Sequence, residues 1–243
     1  MKPLTAQELL TVWERGRRQM PARRALMLLS AALESEAADR LKAITVGERD
    51  ARLLQLRCGL FGSAMAACAQ CEHCGQSLEF SLDATQIAQT FVPASSAASA
   101  QIDDYEIEYA LPTAGDLAEL STSGSATEAR EALLSRCVRS VTHHARALTW
   151  ADLGESILDR LGDLMRQADP LAEIQLSLTC SHCGKTAKPL FDIVTYLCRE
   201  IDVWAARIVD EVHAIAREYG WTEETILNLS PERRQLYMER IGA

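Results

Sequence analysis

Long apolar runs are missing from this sequence of 243 residues. A helix that spans a bilayer needs about 20 consecutive apolar residues, and the runs here are far shorter. The segment from Met1 to Met20 mixes apolar and charged residues, and it lacks the apolar stretch and cleavage site of a signal peptide. We therefore expect a cytoplasmic protein without a membrane span.

An excess of positive charge is also missing: 25 Lys and Arg residues stand against 34 Asp and Glu residues, so the formal net charge is −9 at pH 7. Binding to phosphate backbones draws on clustered Lys and Arg, so a nucleic-acid partner is disfavoured. A local basic patch near the N-terminus keeps that alternative open. It consists of Arg15, Arg17, Arg18, Arg23 and Arg24.

Common catalytic motifs are missing as well: there is no phosphate-binding glycine loop, nucleophile elbow or HExxH sequence. His143 and His144 lie at a predicted helix end, where adjacent residues point in different directions, and no acidic partner is evident. The acidic residues of segment 103–108 are expected to form a solvated strand face. The sequence therefore predicts a protein that is not an enzyme and has no small-molecule substrate.

What the sequence does have is two copies of Cys-x-x-Cys-Gly among its eight cysteines. They read Cys71-Glu72-His73-Cys74-Gly75 and Cys180-Ser181-His182-Cys183-Gly184. The two-residue gap lets both thiolates reach one ion, and the glycine allows a positive φ, so that backbone amides can face the sulfurs. We predict one structural Zn²⁺ per chain, and its ligands are Cys71, Cys74, Cys180 and Cys183.

Four thiolates complete a tetrahedron and leave no position for substrate water, so the predicted site is structural. The long spacing between the motifs implies an insertion between two hairpins of a zinc ribbon. Two half-sites in different subunits are the main variant of this hypothesis. A redox role for each pair is the other alternative, although neither pair has the strand-to-helix setting of a thioredoxin motif.

The other cysteines leave one ligand choice open. Cys68 precedes Cys71 by three residues and so competes with Cys74 as its partner, although the glycine after Cys74 favours the Cys71/Cys74 pair. Three more cysteines lie in apolar helical stretches and are expected to be buried. They are Cys58, Cys137 and Cys198.

We call each Cys-x-x-Cys-Gly motif a knuckle. His73 and His182 occupy matching positions within the two knuckles, which makes both of them candidate ligands. Residues at such positions are more often exposed on the turn. We therefore expect the four thiols, rather than these imidazoles, to bind the metal.

In the first half of the chain, apolar spacing predicts two helices over residues 5–36 and a third that begins at Thr45 and stops near Gly62. Thr45 and Glu48 have the spacing of a capping box. Alternation predicts strands over residues 77–83 and 104–111. The small and polar residues 93–101 are expected to form a loop.

In the second half, helices are expected at residues 116–120 and 126–141, and a further one is expected to begin at Thr149. A strand over residues 173–178 leads to the second knuckle. A helix of roughly 26 residues follows, with apolar residues every three or four positions, and it ends at Gly220. Two short helices close the chain, the last of them starting at Ser230-Pro231.

These elements predict a mainly helical α+β fold with a split zinc ribbon of short hairpins, helical insertions and a long C-terminal helix. The expected segments are an N-terminal helical segment (1–43), a ribbon core (44–192) with an insertion at about 84–170, and a C-terminal helical segment (193–243). Helix, knuckle and strand occur around 44–83 and again around 148–192. Duplication and coincidence both explain this weak repeat.

Three stretches together resemble the T4-type baseplate hub family of contractile phage tails and phage-derived contractile injection systems. They are residues 110–117 (ALPTAGDL), the paired knuckles, and residues 219–237 (YGWTEETILNLSPERRQLY). The similarity touches about two thirds of the chain. Family members are described as hub subunits or hub assembly chaperones, and many tail-assembly proteins carry such a tail without the cysteines.

The resemblance implies a structural or assembly factor of a baseplate, with baseplate, hub or spike proteins of a contractile particle as partners. Such a protein would be cytoplasmic or would be incorporated into a phage-tail-like particle. The candidate partner-facing residues are Trp221, Arg233, Arg234 and Tyr237, which could instead pack the terminal lobe itself. The alternative function is a zinc-ribbon module that binds nucleic acid or a transcription partner through the N-terminal arginines.

Overall fold

The computed structural model describes residues 1–33, 36–95, 97–120 and 124–242. It has the predicted mainly helical α+β fold with short antiparallel hairpins. The helices are α1 (Ala6–Gly16), α2 (Pro21–Ala32), α3 (Ala38–Ala43), α4 (Val46–Phe61), α5 (Ala84–Gln89), α6 (Ala114–Leu120), α7 (Ala126–Cys137), α8 (Glu155–Ala168), α9 (Ile193–Tyr219), α10 (Glu223–Leu227) and α11 (Pro231–Ile241).

The strands are short and all pair antiparallel with their neighbours. They are β1 (Ala64–Gln70), β2 (Ser77–Asp83), β3 (Ala97–Ile102), β4 (Tyr105–Ala110), β5 (Val138–His143), β6 (Arg146–Leu148), β7 (Ile174–Gln175), β8 (Leu178–Thr179), β9 (Thr186–Ala187) and β10 (Leu190–Phe191). None of the described helices has the length and apolar character needed to cross a membrane.

The long helix α9 is confirmed, and its ends follow local chemistry. At its start, the carboxylate of Asp192 accepts hydrogen bonds from the N–H groups of Val194 and Thr195. At its end, Gly220 adopts a left-handed conformation with φ 67°, which glycine tolerates without a steric penalty. These two signals fix a helix of 27 residues.

The helix α4 begins at the predicted cap, but only half of the capping box forms. The hydroxyl of Thr45 accepts a hydrogen bond from the N–H of Glu48 at 3.2 Å. The carboxylate of Glu48 instead binds Arg52 one turn later, at 2.6 Å. The ion pair along the helix therefore replaces the reciprocal bond of the cap.

The main hydrophobic core joins the N-terminal helices, the first hairpin and α9. Its fully buried members include Leu29 of α2, Leu54 of α4, Met65 of β1, and Ile193 and Ile201 of α9. Residues of the N-terminal segment and the first part of α9 thus pack on one core together with residues from 44–84.

A four-stranded sheet with the order β3-β4-β5-β6 forms the second packing unit. Its buried face includes Ile107 of β4 and Val141 of β5, which contact Leu161 of the helix α8. The sheet lies in the chain between the two cysteine hairpins, as expected for an insertion.

Three predictions from local pattern are wrong in this region. Residues 97–101, which were expected in a loop, belong to β3 and pair with β4. The helix expected over 126–141 ends at Cys137, because residues 138–143 pair with β4 as strand β5. The helix expected from Thr149 is a 3₁₀ turn (Trp150–Asp152), and α8 begins only at Glu155. In the second case, strand pairing with a distant segment overrides helix propensity.

A helix, a cysteine hairpin and an aspartate-capped helix occur twice in this order. The first copy runs through α4, β1, β2 and α5, and the second runs through α8, the strands β7 to β10 and α9. Corresponding positions are all separated by 109 residues, as in Val46 and Glu155, Cys71 and Cys180, Gly75 and Gly184, and Asp83 and Asp192. This constant spacing favours duplication over coincidence as the origin of the repeat.

Candidate metal centre

Each cysteine motif occupies the loop of a hairpin, and the two loops have the same hydrogen bonds. The N–H of Cys71 bonds the carbonyl of Gln76 at 2.9 Å, and the N–H of Gly75 returns to the carbonyl of Cys71 at 2.8 Å. In the second loop, the N–H of Cys180 bonds the carbonyl of Lys185, and the N–H of Gly184 bonds the carbonyl of Cys180, both at 2.9 Å. The two loops are therefore built alike.

The glycines make these tight turns possible. Gly75 and Gly184 have φ values of 71° and 70°, in the left-handed region where a side chain adds strain. In both turns, the chain reverses within two residues of the second cysteine, so that the two thiols of each motif face the same side. The positive φ predicted for both glycines is thereby confirmed.

The fold brings the four cysteines together across the two hairpins. All four Sγ atoms lie within 4.8 Å of one another. The Sγ of Cys71 lies 3.8 Å from that of Cys183, and the Sγ of Cys74 lies 3.8 Å from that of Cys180. Both half-sites come from the same chain, which makes a site shared between subunits unnecessary.

These distances fit a tetrahedral thiolate site. Around Zn²⁺ with bonds of about 2.3 Å, neighbouring sulfurs of a tetrahedron lie about 3.8 Å apart. Cys71 and Cys180 are buried, while Cys183 is half-buried and Cys74 is exposed. Leu78 and Ala187 cover the buried side of the cluster. Two of the sulfur separations thus match a tetrahedral thiolate site, and the whole set is close enough to be a possible metal site.

The electrostatics of the cluster are uneven. Hydrogen bonds from the backbone N–H groups of Cys183 and His182 lower the pKa of Cys180 to about 6, against the effect of burial. The backbone N–H of Gln76 acts to lower the pKa of Cys74, but partial desolvation and the neighbouring thiols raise it to about 12. Four thiolates at these distances would repel one another unless a cation lay between them.

The competing ligands lie outside the cluster. Cys68 is exposed on β1 opposite Glu79. Both knuckle histidines are exposed, and His73 instead faces the carbonyl of Thr186 at 3.1 Å. His182 is likewise placed on the surface of its turn.

The remaining cysteines follow the expected pattern in part. Cys137 and Cys198 are buried, and burial raises the pKa of both thiols. Cys58 is only half-buried, and its sulfur lies 3.6 Å from the hydroxyl of Thr85.

Two functional residues were missed by sequence reasoning. Asp83 and Asp192 each follow their knuckle at the same distance and cap the next helix, α5 or α9. Ala84 and Ile193, the next residues along the chain, are completely buried in the main core. Each hairpin is thereby anchored to the core at its open end. The sequence signal that could have identified them is the equal spacing between the second cysteine of each motif and the aspartate that follows it.

The predicted partner-facing residues lie in the terminal lobe formed by the end of α9, α10 and α11. Tyr219 stacks on Trp221, and Tyr237 meets both rings edge to face, with ring centroids 5.0 to 5.4 Å apart. Arg234 is buried, where it binds the carboxylate of Glu211 at 3.1 Å and the carbonyl of Leu229 at 2.6 Å. Arg234 therefore holds the lobe together.

Arg233 is exposed, and Trp221 and Tyr237 are half-buried. Their partner-facing role stays a prediction, because the edge-to-face contact of the two aromatic rings also fits packing of the lobe itself.

The two adjacent histidines do not lie on a helix end, so that expectation is wrong. His143 ends β5, and His144 begins the turn to β6. Contrary to the sequence expectation, an acidic partner is present, because Asp104 lies 3.9 Å from the ring of His144.

Several of the N-terminal arginines bind within the chain. Arg24 forms an ion pair with Asp202 at 2.6 Å, and Arg23 donates to the carbonyl of Ala118 at 3.1 Å. Arg17 lies over the ring of Trp13. The basic cluster of the sequence is therefore partly used in packing α1 and α2 against their neighbours.

Comparison with known proteins gives one match. The family described as T4 bacteriophage base plate protein matches residues 26–197, which include both knuckles and more than two thirds of the chain. No curated protein and no solved structure matches the chain.

Proposed function

The chain belongs to the T4 bacteriophage base plate protein family, and on that premise we propose that it is a non-enzymatic structural or assembly factor of a baseplate hub. The particle would be a contractile phage tail or a phage-derived contractile injection system. Its partners in this proposal are the baseplate, hub or spike proteins of that particle. The protein would act in the cytoplasm, as an assembly chaperone or as a part that enters the particle.

The second part of the proposal is one structural Zn²⁺ per chain, held by Cys71, Cys74, Cys180 and Cys183. The observation that carries it is the 3.8 Å spacing of sulfurs across the two hairpins. When bound, the ion would supply four bonds that tie the hairpins together. With all four positions filled by thiolates, no position is left for water or substrate.

A rigid joint of this kind suits a structural role. The zinc-bound hairpins lie at one end of the main core, and Asp83 and Asp192 connect them to α5 and α9. The helix α9 then runs to the terminal lobe with its aromatic cluster. We propose the same three segments as before, with the ribbon core (44–192) as the unit that the metal stabilises.

The metal is tested by mass spectrometry of protein purified without added zinc, together with thermal melting. Wild type is expected to carry one zinc, and Cys183→Ser to lose it with a large fall in Tm. Cys68→Ser is the matched control, because this thiol is exposed three residues before Cys71 and lies outside the cluster. If wild type carries no metal and melts at the same temperature as Cys183→Ser, the redox interpretation of both cysteine pairs is reopened.

The partner is tested by co-purification with the tube, spike and wedge proteins of the particle. Trp221→Ala, Arg233→Ala and Tyr237→Ala should weaken capture if the terminal lobe contacts a partner. Arg234→Ala is not suitable for this purpose, because its loss would disturb the lobe itself. Salt-dependent DNA binding without capture of particle proteins would instead favour the nucleic-acid module.

A further inference from the structure

Three metal-binding side chains meet at one end of the four-stranded sheet, away from the cysteine cluster. Ligand atoms of Asp104, His143 and His144 all lie within 4.8 Å of one another. The Nε2 of His144 is 3.9 Å from an Oδ of Asp104, and the two imidazole rings have centroids 4.2 Å apart. Apart from the cysteine cluster, no other such group occurs among the described residues.

Backbone conformation explains how neighbouring histidines converge. His144 and Ala145 connect β5 to β6 with φ values of 48° and 63°, in the left-handed region that residues with side chains rarely adopt. In an extended strand, His143 and His144 would point to opposite faces. The left-handed turn instead brings both rings to the same side.

The neighbouring turn supplies the carboxylate. Asp103 and Asp104 connect β3 to β4, and Asp103 also has a positive φ, of 51°. Because Tyr105 pairs with His143 across the sheet, both turns lie at the same end. Among the described residues, every non-glycine position with positive φ belongs to these two turns. Positive φ is the usual backbone conformation in two-residue hairpin turns of this kind.

The surrounding contacts leave the three side chains available. Tyr105 stacks on the ring of His143 at 4.4 Å and fixes its plane. The neighbouring Asp103 forms an ion pair with Arg160 at 2.6 Å. Among the described residues, the carboxylate of Asp104 has no basic side chain within ion-pair distance other than the ring of His144.

We propose that Asp104, His143 and His144 form a second metal site, which binds a divalent transition-metal ion such as Zn²⁺. Two imidazoles and one carboxylate are ligands that zinc, nickel and copper ions accept, whereas calcium prefers oxygen ligands alone. Bonds of about 2.0 to 2.2 Å would draw the donors to roughly 3 to 3.5 Å from one another. Asp104 and His144 are exposed, so their side chains can close this gap by rotation.

Three protein ligands leave at least one position of the ion open. This distinguishes the site from the closed four-thiolate cluster, in which the protein fills every position. Water or a donor group of another molecule would fill the open position. The proposal does not depend on the cysteine site or on the baseplate role.

The test is a titration of the full-length protein with zinc chloride, followed by calorimetry and by NMR of the histidine rings. We expect one further zinc to bind beyond the metal present after purification, with the signals of His143 and His144 shifting. Asp104→Asn and His144→Asn should weaken this event at least about tenfold, since each removes a ligand. Asparagine tolerates the left-handed conformation and so keeps the turn intact.

His143→Phe is a further variant, because its ring can retain the stack on Tyr105 while offering no ligand. His213→Gln is the matched control: this histidine is exposed on α9, and its loss should leave the titration unchanged. Thermal melting of each variant checks the fold. The proposal is overturned if wild type binds no further zinc, or if the event persists unchanged in Asp104→Asn, His144→Asn and His143→Phe.

Discussion

The hairpin of Cys71 and Cys74 is a continuous ribbon, whereas the hairpin of Cys180 and Cys183 is interrupted halfway along. The first has seven consecutive residue pairs, from Ala64 opposite Asp83 to Gln70 opposite Ser77. The second has two pairs next to its loop and two pairs at its open end, in the same register. The cysteine loops are nevertheless alike.

Pro189 accounts for the interruption. The N–H of Leu176 bonds the carbonyl of Pro189 at 2.9 Å, but proline has no N–H with which to return a bond. The position that corresponds to Pro189 in the first hairpin is Phe80, which lies opposite Ala67. A single residue type therefore decides whether the ladder is complete.

The sizes of the side chains are also exchanged between the hairpins. In the first hairpin, Ala69 lies opposite Leu78, whereas in the second Leu178 lies opposite Ala187. Leu78, Ala187 and Leu178 meet in one small cluster beneath the sulfurs. Leu78 of the first hairpin thus lies in one cluster with Leu178 and Ala187 of the second.

The largest expected effect tests whether the two half-sites are equivalent. Cys71→Ser and Cys183→Ser each remove one ligand from a different hairpin. If one ion joins both, each variant should lose zinc and more than about 3 kcal/mol of the free energy of unfolding, since structural zinc contributes to folding directly. Metal analysis and denaturant unfolding measure this. Zinc retained in one variant only would show that the halves bind separately.

A smaller effect tests the similarity of the two loops. Gly75→Ala and Gly184→Ala should each cost about 1 to 2 kcal/mol, because alanine is strained at positive φ. No atom lies within 4 Å of an added Cβ at either position, so the cost is conformational. Gly59→Ala is the control, since this glycine lies in α4 with equally open space. Unequal costs at Gly75 and Gly184 in thermal melts would contradict the similarity.

The next effect separates the helices that follow the hairpins. Asp192→Ala should cost about 1 kcal/mol, because it removes the cap of the long helix α9. Asp83→Ala should cost less, because α5 has only six residues. Asparagine keeps the cap and should restore stability at both positions. An equal or larger loss for Asp83→Ala in denaturant unfolding would contradict this order.

Asp83 also predicts a dependence on pH. Hydrogen bonds from the N–H of Gln86 and the hydroxyl of Ser63 hold the pKa of Asp83 below its usual value of 3.8. A carboxyl group with a lowered pKa stabilises the folded state above the unfolded pKa and loses this contribution as the pH falls. In Asp83→Asn, the free energy of unfolding should therefore fall less steeply than in wild type as the pH is lowered. Profiles of equal slope for wild type and variant would contradict this.

The smallest effect is expected from Pro189→Val, which restores an N–H to the second hairpin. One added hydrogen bond contributes about 1 kcal/mol. Removing proline offsets part of this, because the unfolded chain gains conformational freedom. We therefore expect little change in Tm but slower amide exchange at Leu176 and Leu178. Unchanged exchange would show that another feature interrupts the ladder.

Local sequence signals predicted the parts of the molecule that depend on neighbours in the chain. The cysteine loops follow from Cys-x-x-Cys-Gly, and α9 follows from its apolar period and Gly220. The strand β2 was found because residues 77–83 alternate, but its partner β1 was missed, since its sequence AMAACAQ is too rich in alanine to show alternation.

The parts that were missed depend on distant pairing. Residues 138–143 continue a helical pattern and become a strand only because β4 lies beside them. For the same reason, no local signal could place Asp104 next to His143 and His144. Arg234 resembled a partner-facing residue because its burial depends on Glu211, which lies on another helix.

The separation of the knuckles has a consequence for synthesis of the chain. Cys180 follows Cys71 by 109 residues, so the ribosome produces it about 5 to 20 seconds later at rates of about 5 to 20 residues per second. During this interval the first knuckle offers only two thiolates to an ion. The complete site can form only after the sheet and the second knuckle have been made. Tight zinc binding would thus distinguish the finished chain from nascent fragments that end before the second knuckle.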